Sequence, residues 1–187
     1  MATVIIGARC LVGVVFLVSA VTKLRSSAAF AEFVASLRAT GLVPARWARR
    51  VAVAMVLTEA AIPALLAAPV LVEVPPLLAA AGFALAAGLL GVFTAGLGLA
   101  VSRGVRTPCR CFGASAAPLG LPQIVRNALL TVTAAAGLVA VLAAGSAGTG
   151  QMHPATVAMA GAVGLVLAVL AISFDDLVDL FRPAVRP

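Results

Sequence analysis

Apolar residues run along the chain in five long blocks separated by short polar connections. The first block, 3–23, is broken only by Arg9 and closes on Lys23. The second, 51–72, holds one acid, Glu59, and two prolines, Pro63 and Pro69. The third, 77–101, carries no charge at all. The fourth, 122–144, has Arg126 and Asn127 in its first turn, and the fifth, 154–174, stops at Asp175 and Asp176. A membrane-crossing helix needs about 20 mainly apolar residues, so the pattern predicts an all-α polytopic membrane protein with five spans in one transmembrane domain, residues 1–187. Small residues recur at helical spacing in two of the spans: Ala84, Gly88, Gly96 and Ala100, beside Ala87, Gly91 and Ala95, and Ala160, Gly164 and Ala168. Such ridges let helix backbones approach closely.

The longest polar segment, between the first two blocks, has its own period. Ser26 or Ser27 can cap a helix, and Phe30, Phe33, Val34 and Leu37 follow at i, i+3, i+4 and i+7. Gly41 suits a left-handed stop and Pro44 prevents continuation. This predicts an interfacial amphipathic helix over 27–40, with Trp47 among Arg46, Arg49 and Arg50 as an anchor at the membrane surface.

Composition agrees with this reading and narrows it. The 187 residues are 63% hydrophobic and 10% charged, with a mean hydropathy of +1.19. Soluble domains are about 45–50% apolar and about 25% charged, so soluble and disordered classes are excluded. The net charge of +7 does not imply nucleic acid, because the basic residues cluster between apolar spans. Twelve of the 13 fall on the side holding the first and third connections, with Arg9 the exception. The positive-inside rule makes that side cytoplasmic, within a multi-pass protein of the plasma membrane. A cleaved first block would reverse the assignment: Arg9, the core Cys10 to Val18 and the small exit Val18-Ser19-Ala20 have the form of a signal peptide. No soluble domain follows for it to export, which favours the five-span reading.

The third connection reads Ser102-Arg103-Gly104-Val105-Arg106-Thr107-Pro108-Cys109-Arg110-Cys111-Phe112-Gly113. A cysteine pair one residue apart has three readings. A closed zinc site needs four ligands, and the chain offers three cysteines and one histidine, with His153 on the opposite side. Transient binding of a soft metal stays open. Thiol–disulfide exchange is favoured by Arg103, Arg106 and Arg110, since positive charge stabilises the reactive thiolate. A disulfide closed across one residue is strained and readily reduced. The third reading is a static bridge or two plain surface thiols. Cys10 reads as a buried small hydrophobe. Glu59 lies about 12 Å below the surface by helical rise, and an ionisable group at that depth is a functional candidate. Lys23 is its nearest counter-charge; the pair either clamps two helices or lets Glu59 accept a proton during thiol chemistry. His153, in the fourth connection, reads as a solvated loop residue.

Lys23 closing the first span, the aromatic-rich interfacial segment, Glu59 in the second span and Cys109-Arg110-Cys111-Phe112-Gly113 after the third together resemble the MauE branch of the DoxX-like membrane proteins, over roughly residues 4–145. The resemblance implies a four-helix bundle similar to the vitamin K epoxide reductase and DsbB type, with the fifth span added. It also implies support of disulfide formation, as in maturing methylamine dehydrogenase, beside a thioredoxin-like partner. Carried over, Cys109 and Cys111 are the redox pair, and Lys23 and Glu59 the intramembrane polar pair. Arg110 stands where the family pattern has a small residue, often Gly, and no second cysteine pair exists to relay electrons onward. The cytoplasmic charge bias also conflicts with disulfide formation in exported proteins and favours exchange with a cytoplasmic thioredoxin-like protein.

The expected function is therefore membrane thiol–disulfide redox chemistry at Cys109 and Cys111, assisted by Glu59 and Lys23. A quinone between the helices could serve as electron acceptor. Expected partners are the thioredoxin-like protein, the lipid bilayer and a membrane complex or second copy, with no nucleic acid. The alternatives are a small transporter or metal-ion carrier, with the cysteines as transient ligands and Glu59 on its pathway, and a non-catalytic assembly subunit.

Overall fold

A computed structural model describes residues 1–71, 75, 77–103, 121–144 and 153–180. Seven helices occur among them: α1 (Ala2–Leu24), α2 (Ser27–Ala39), α3 (Ala45–Leu71), α4 (Leu77–Ser102), α5 (Leu121–Ala144), α6 (Pro154–Ile172) and α7 (Phe174–Leu180). Five of them, α1, α3, α4, α5 and α6, are long and apolar enough to cross a membrane, so the protein is an all-α polytopic membrane protein.

Four of the five close a ring. α1 packs on α3, α3 on α4, α4 on α5 and α5 back on α1. Successive membrane crossings alternate in direction, so ring neighbours are antiparallel, the arrangement of an up-down four-helix bundle. Its centre is filled by Val12, Val15, Phe16, Ile62, Leu66, Phe83, Leu90, Phe93 and Leu130. Outward positions such as Leu57, Val92, Leu129 and Val139 stay exposed, as suits a bundle whose surrounding solvent is hydrocarbon. Packing between such helices rests on close van der Waals fit rather than on a hydrophobic drive.

Two glycines show how close that fit is. A Cβ built at Gly137 of α5 would lie 2.5 Å from the Phe83 ring of α4, and Phe83 is completely buried. Overpacking of a close-packed interior costs about 1–3 kcal/mol, so Gly137→Val is expected to lower bundle stability by that amount. Reversible unfolding in mixed micelles measures it, with the exposed Gly88 as the control site. In the second case a Cβ at Gly164 of α6 would lie 2.5 Å from the Gly7 carbonyl oxygen and 2.8 Å from Cys10 Cβ. The ridge Ala160, Gly164 and Ala168 thus seats α6 against the outside of α1, away from the ring. The α4 ridges behave differently. Ala84, Gly88 and Ala95 are exposed and Ala87, Gly91 and Gly96 half-buried, and the buried stripe of α4, Ala79, Phe83, Ala86, Leu90, Phe93, Leu97 and Ala100, takes in only Ala100 from the ridges.

α2 runs where its period places it. Ser26 caps it by accepting from the Ala29 amide at 3.1 Å, and Gly41 leaves it with φ +66. Phe33 and Val34 pack on Ala48, Ala52 and Val56 of α3. α3 begins at Ala45, before the apolar block that starts at Val51, because Pro44 suits the position just before a helix and its carbonyl accepts from the Trp47 amide at 2.8 Å. Arg46, Arg49 and Arg50 occupy those first exposed turns, and the Arg50 guanidinium lies 5.0 Å from the centre of the Trp47 ring. The fifth apolar block is also divided. α6 ends at Ile172, and after Ser173 the short helix α7 begins, with Asp175 and Asp176 in its first turn. α7 packs against α5 and α6.

Candidate functional site

Lys23 is the sole lysine of the chain, and Glu59 the sole acid within the first four apolar blocks. The fold brings them together. Lys23 stands at the end of α1, but its side chain is 4% exposed, so the ammonium turns into the bundle instead of reaching outward to water. Glu59 lies on α3 nine residues past Arg50, about 14 Å along the axis, and is completely buried. Lys23 Nζ donates to Oε1 and Oε2 of Glu59 at 2.7 Å each and to Ser19 Oγ at 2.7 Å. An ammonium has three N–H donors, and all three are used. The Phe33 ring of α2 lies 4.8 Å from Nζ, adding a cation–π contact where solvent would otherwise enter. Pro63, four residues beyond Glu59, has no N–H, which frees the Glu59 main-chain carbonyl from the usual helical bond.

A second buried ion pair joins α5 to α7. Arg126 Nη1 donates to Asp175 Oδ2, and each side chain is only 5% exposed. Next to Arg126, Asn127 is completely buried, and neither its Oδ1 nor its Nδ2 has a hydrogen-bond partner among the described residues. Gln123, Arg126 and Asn127 lie on the inward stripe of α5 that continues through Leu130, Ala134 and Gly137.

Cys109 and Cys111 lie outside the described residues. The helix ends that bracket them, Ser102 of α4 and Leu121 of α5, are at the end of the bundle where Lys23, α2 and α7 are found. Cys10 is a free, partly buried thiol whose Sγ would lie 3.7 Å from a Cβ at Gly161. It belongs to the α1–α6 contact, 13 residues along α1 from Lys23, and does not join the polar pair. His153 caps α6, its Nδ1 accepting from the Ala155 amide at 3.3 Å.

Three members of these clusters escape a reading of the chain alone. Ser19 carries a usable signal, since i, i+4 spacing puts it beside Lys23 on one helix face. Phe33 reads only as part of an apolar stripe. Asp175 reads as the end of a span, although an arginine within a neighbouring span calls for an acid at the same depth.

Across the chain, the family model described as "Methylamine utilisation protein MauE" matches residues 1–140. The chain belongs to the MauE family. The match takes in α1 to α4 and all but the last residues of α5, so it covers the four-helix ring, Lys23 and Glu59, Arg126 and Asn127. α6 and α7, with Asp175, lie beyond it. No curated protein matches the chain, and neither does any solved structure.

Proposed function

We propose that this MauE-family protein is a membrane thiol–disulfide redox protein serving methylamine utilisation, with Cys109 and Cys111 as the exchanging pair. The observation that carries the reading is the Lys23–Glu59 pair, closed inside the ring at the bundle end from which the Cys109-Arg110-Cys111 segment departs. The partner is a thioredoxin-like protein. One cysteine thiolate of the pair attacks the partner's disulfide, forming a mixed disulfide and releasing a partner thiolate. The second cysteine then attacks the mixed disulfide, which leaves a Cys109–Cys111 disulfide and a reduced partner. Two electrons and two protons pass from the pair to the partner, and the reverse direction restores the dithiol. Arg110, Arg106 and Arg103 favour the thiolates. Glu59 takes a proton from the attacking thiol and returns it to the leaving group, while Lys23 holds the carboxylate in place. The charge bias puts this end in the cytoplasm.

Mixed-disulfide trapping tests the reading. In a Cys10→Ala background, Cys111→Ser or Cys109→Ser is expected to attack the disulfide of an oxidised thioredoxin-like protein and to accumulate the mixed disulfide after acid quenching, because the cysteine of this chain that would resolve it is gone. The variant lacking both Cys109 and Cys111 forms none. Absence of any complex from both single variants sinks the redox reading.

One feature favours a second reading, a non-catalytic assembly subunit. All three Lys23 donors are satisfied within the chain, as in a structural clamp. On that reading Cys109→Ser with Cys111→Ser leaves function intact, whereas the redox reading requires its loss.

A further inference from the structure

Asn127 is the only asparagine in the chain. It is completely buried, lies in a membrane-spanning helix, and has no partner among the described residues for either side-chain amide atom. Buried amides are otherwise almost always hydrogen-bonded, and an unsatisfied one within hydrocarbon is strongly unfavourable. A partner beyond the described residues resolves this, and helix register indicates which group it serves. Gly137 of α5 faces Phe83 of α4, and Gly82 of α4 faces Leu66 of α3. Counting back along antiparallel helices sets Asn127 level with Phe93, and Phe93 level with Met55. Glu59 is one turn deeper than Met55, about 6 Å along the axis. Toward the bundle end, the buried polar side chains Gln123 and Arg126 continue the same stripe.

We propose that Asn127 holds internal water one turn above the Lys23–Glu59 pair, and that this water carries the proton between Glu59 and the bundle end where the cysteine segment departs. A buried water typically makes about three hydrogen bonds. The Asn127 carboxamide can donate and accept at once, and the Glu59 carboxylate keeps acceptor capacity beyond its two bonds from Lys23. The transfer is a proton hop along hydrogen bonds, with no electron or covalent bond redistributed to Asn127. The residue is a positioning residue, and the relay rests on the redox reading above, while the hydrated site stands without it.

The test uses the full chain in lipid nanodiscs. Labelling asparagine side chains with ¹⁵N gives one Nδ2 signal pair, assigned by its loss in Asn127→Asp. Cross peaks from those amide protons to water are expected; cross peaks only to aliphatic or ligand protons overturn the proposal. In the second arm, the rate at which an oxidised thioredoxin-like protein oxidises the Cys109/Cys111 dithiol is compared across variants. Asn127→Leu is expected to slow it about 10-fold, a modest share of what proton transfer by a positioned group contributes, and Asn127→Ser, which keeps a hydroxyl for water, is expected to recover most of the rate. An unchanged rate in Asn127→Leu overturns the relay. If the native dithiol does not react with the partner at all, the redox reading fails, and the water cross peaks alone decide the hydrated site.

Discussion

Lys23→Met is expected to destabilise the bundle by about 3–5 kcal/mol, because removing one member of a buried ion pair strands the other charge. Glu59 would be left completely buried without its two hydrogen bonds from Nζ. Ser19 would lose its donor as well. Glu59→Leu should cost a similar amount, leaving an ammonium with Ser19 and the Phe33 ring as its remaining partners. The double variant Lys23→Met/Glu59→Leu behaves differently. Replacing a whole buried pair with well-packed apolar groups is often neutral or stabilising, so it should recover most of the lost stability. Unfolding in mixed micelles gives the four corners of the cycle. If both single variants are as stable as the native chain, the pair is not the closed clamp that its geometry describes.

The second large effect concerns chemistry rather than stability. Cys109→Ser with Cys111→Ser should abolish thiol exchange while leaving the unfolding transition where it was, because both positions lie in sequence between Ser102 of α4 and Leu121 of α5, outside the residues that fill the bundle centre. The Lys23→Met/Glu59→Leu variant, folded but without its carboxylate, should keep both thiols and exchange them more slowly. Loss of a positioned proton acceptor costs about 10²–10⁴-fold in rate. The comparison separates the two uses of the pair. Unchanged exchange in the folded double variant would make Lys23 and Glu59 a clamp only.

The spans and the polar pair were legible because a membrane allows few exceptions. A block of about 20 apolar residues has one stable use, so each charge inside one stands out. Lys23 and Glu59 were found in that way, and the i, i+3, i+4, i+7 period of α2 gave its position and its Ser26 cap. What stayed hidden depends on which face of a helix is inward. Every face of α4 is apolar, so periodicity could not separate the lipid-facing ridge at Ala84 and Gly88 from the inward stripe at Phe83 and Leu90. The start of α3 was hidden for the opposite reason. Its first turns carry arginines that hydropathy assigns to the loop, although helix geometry admits them. α7 is too short to show a period, and Asp175 acquires its role only from Arg126, 49 positions away in sequence. Asn127 was visible in the first turn of its span, but its lack of a partner among the described residues emerges only from the packed ring.

The most direct test of the central claim counts free thiols. Membranes bearing the Cys10→Ala chain are incubated with a thioredoxin-like protein, either oxidised or reduced, then acid-quenched, alkylated and weighed by mass spectrometry. The mass is expected to shift by two alkyl groups between the two conditions, with both sites mapping to Cys109 and Cys111. Two alkyl groups in both conditions, or none in either, would contradict it.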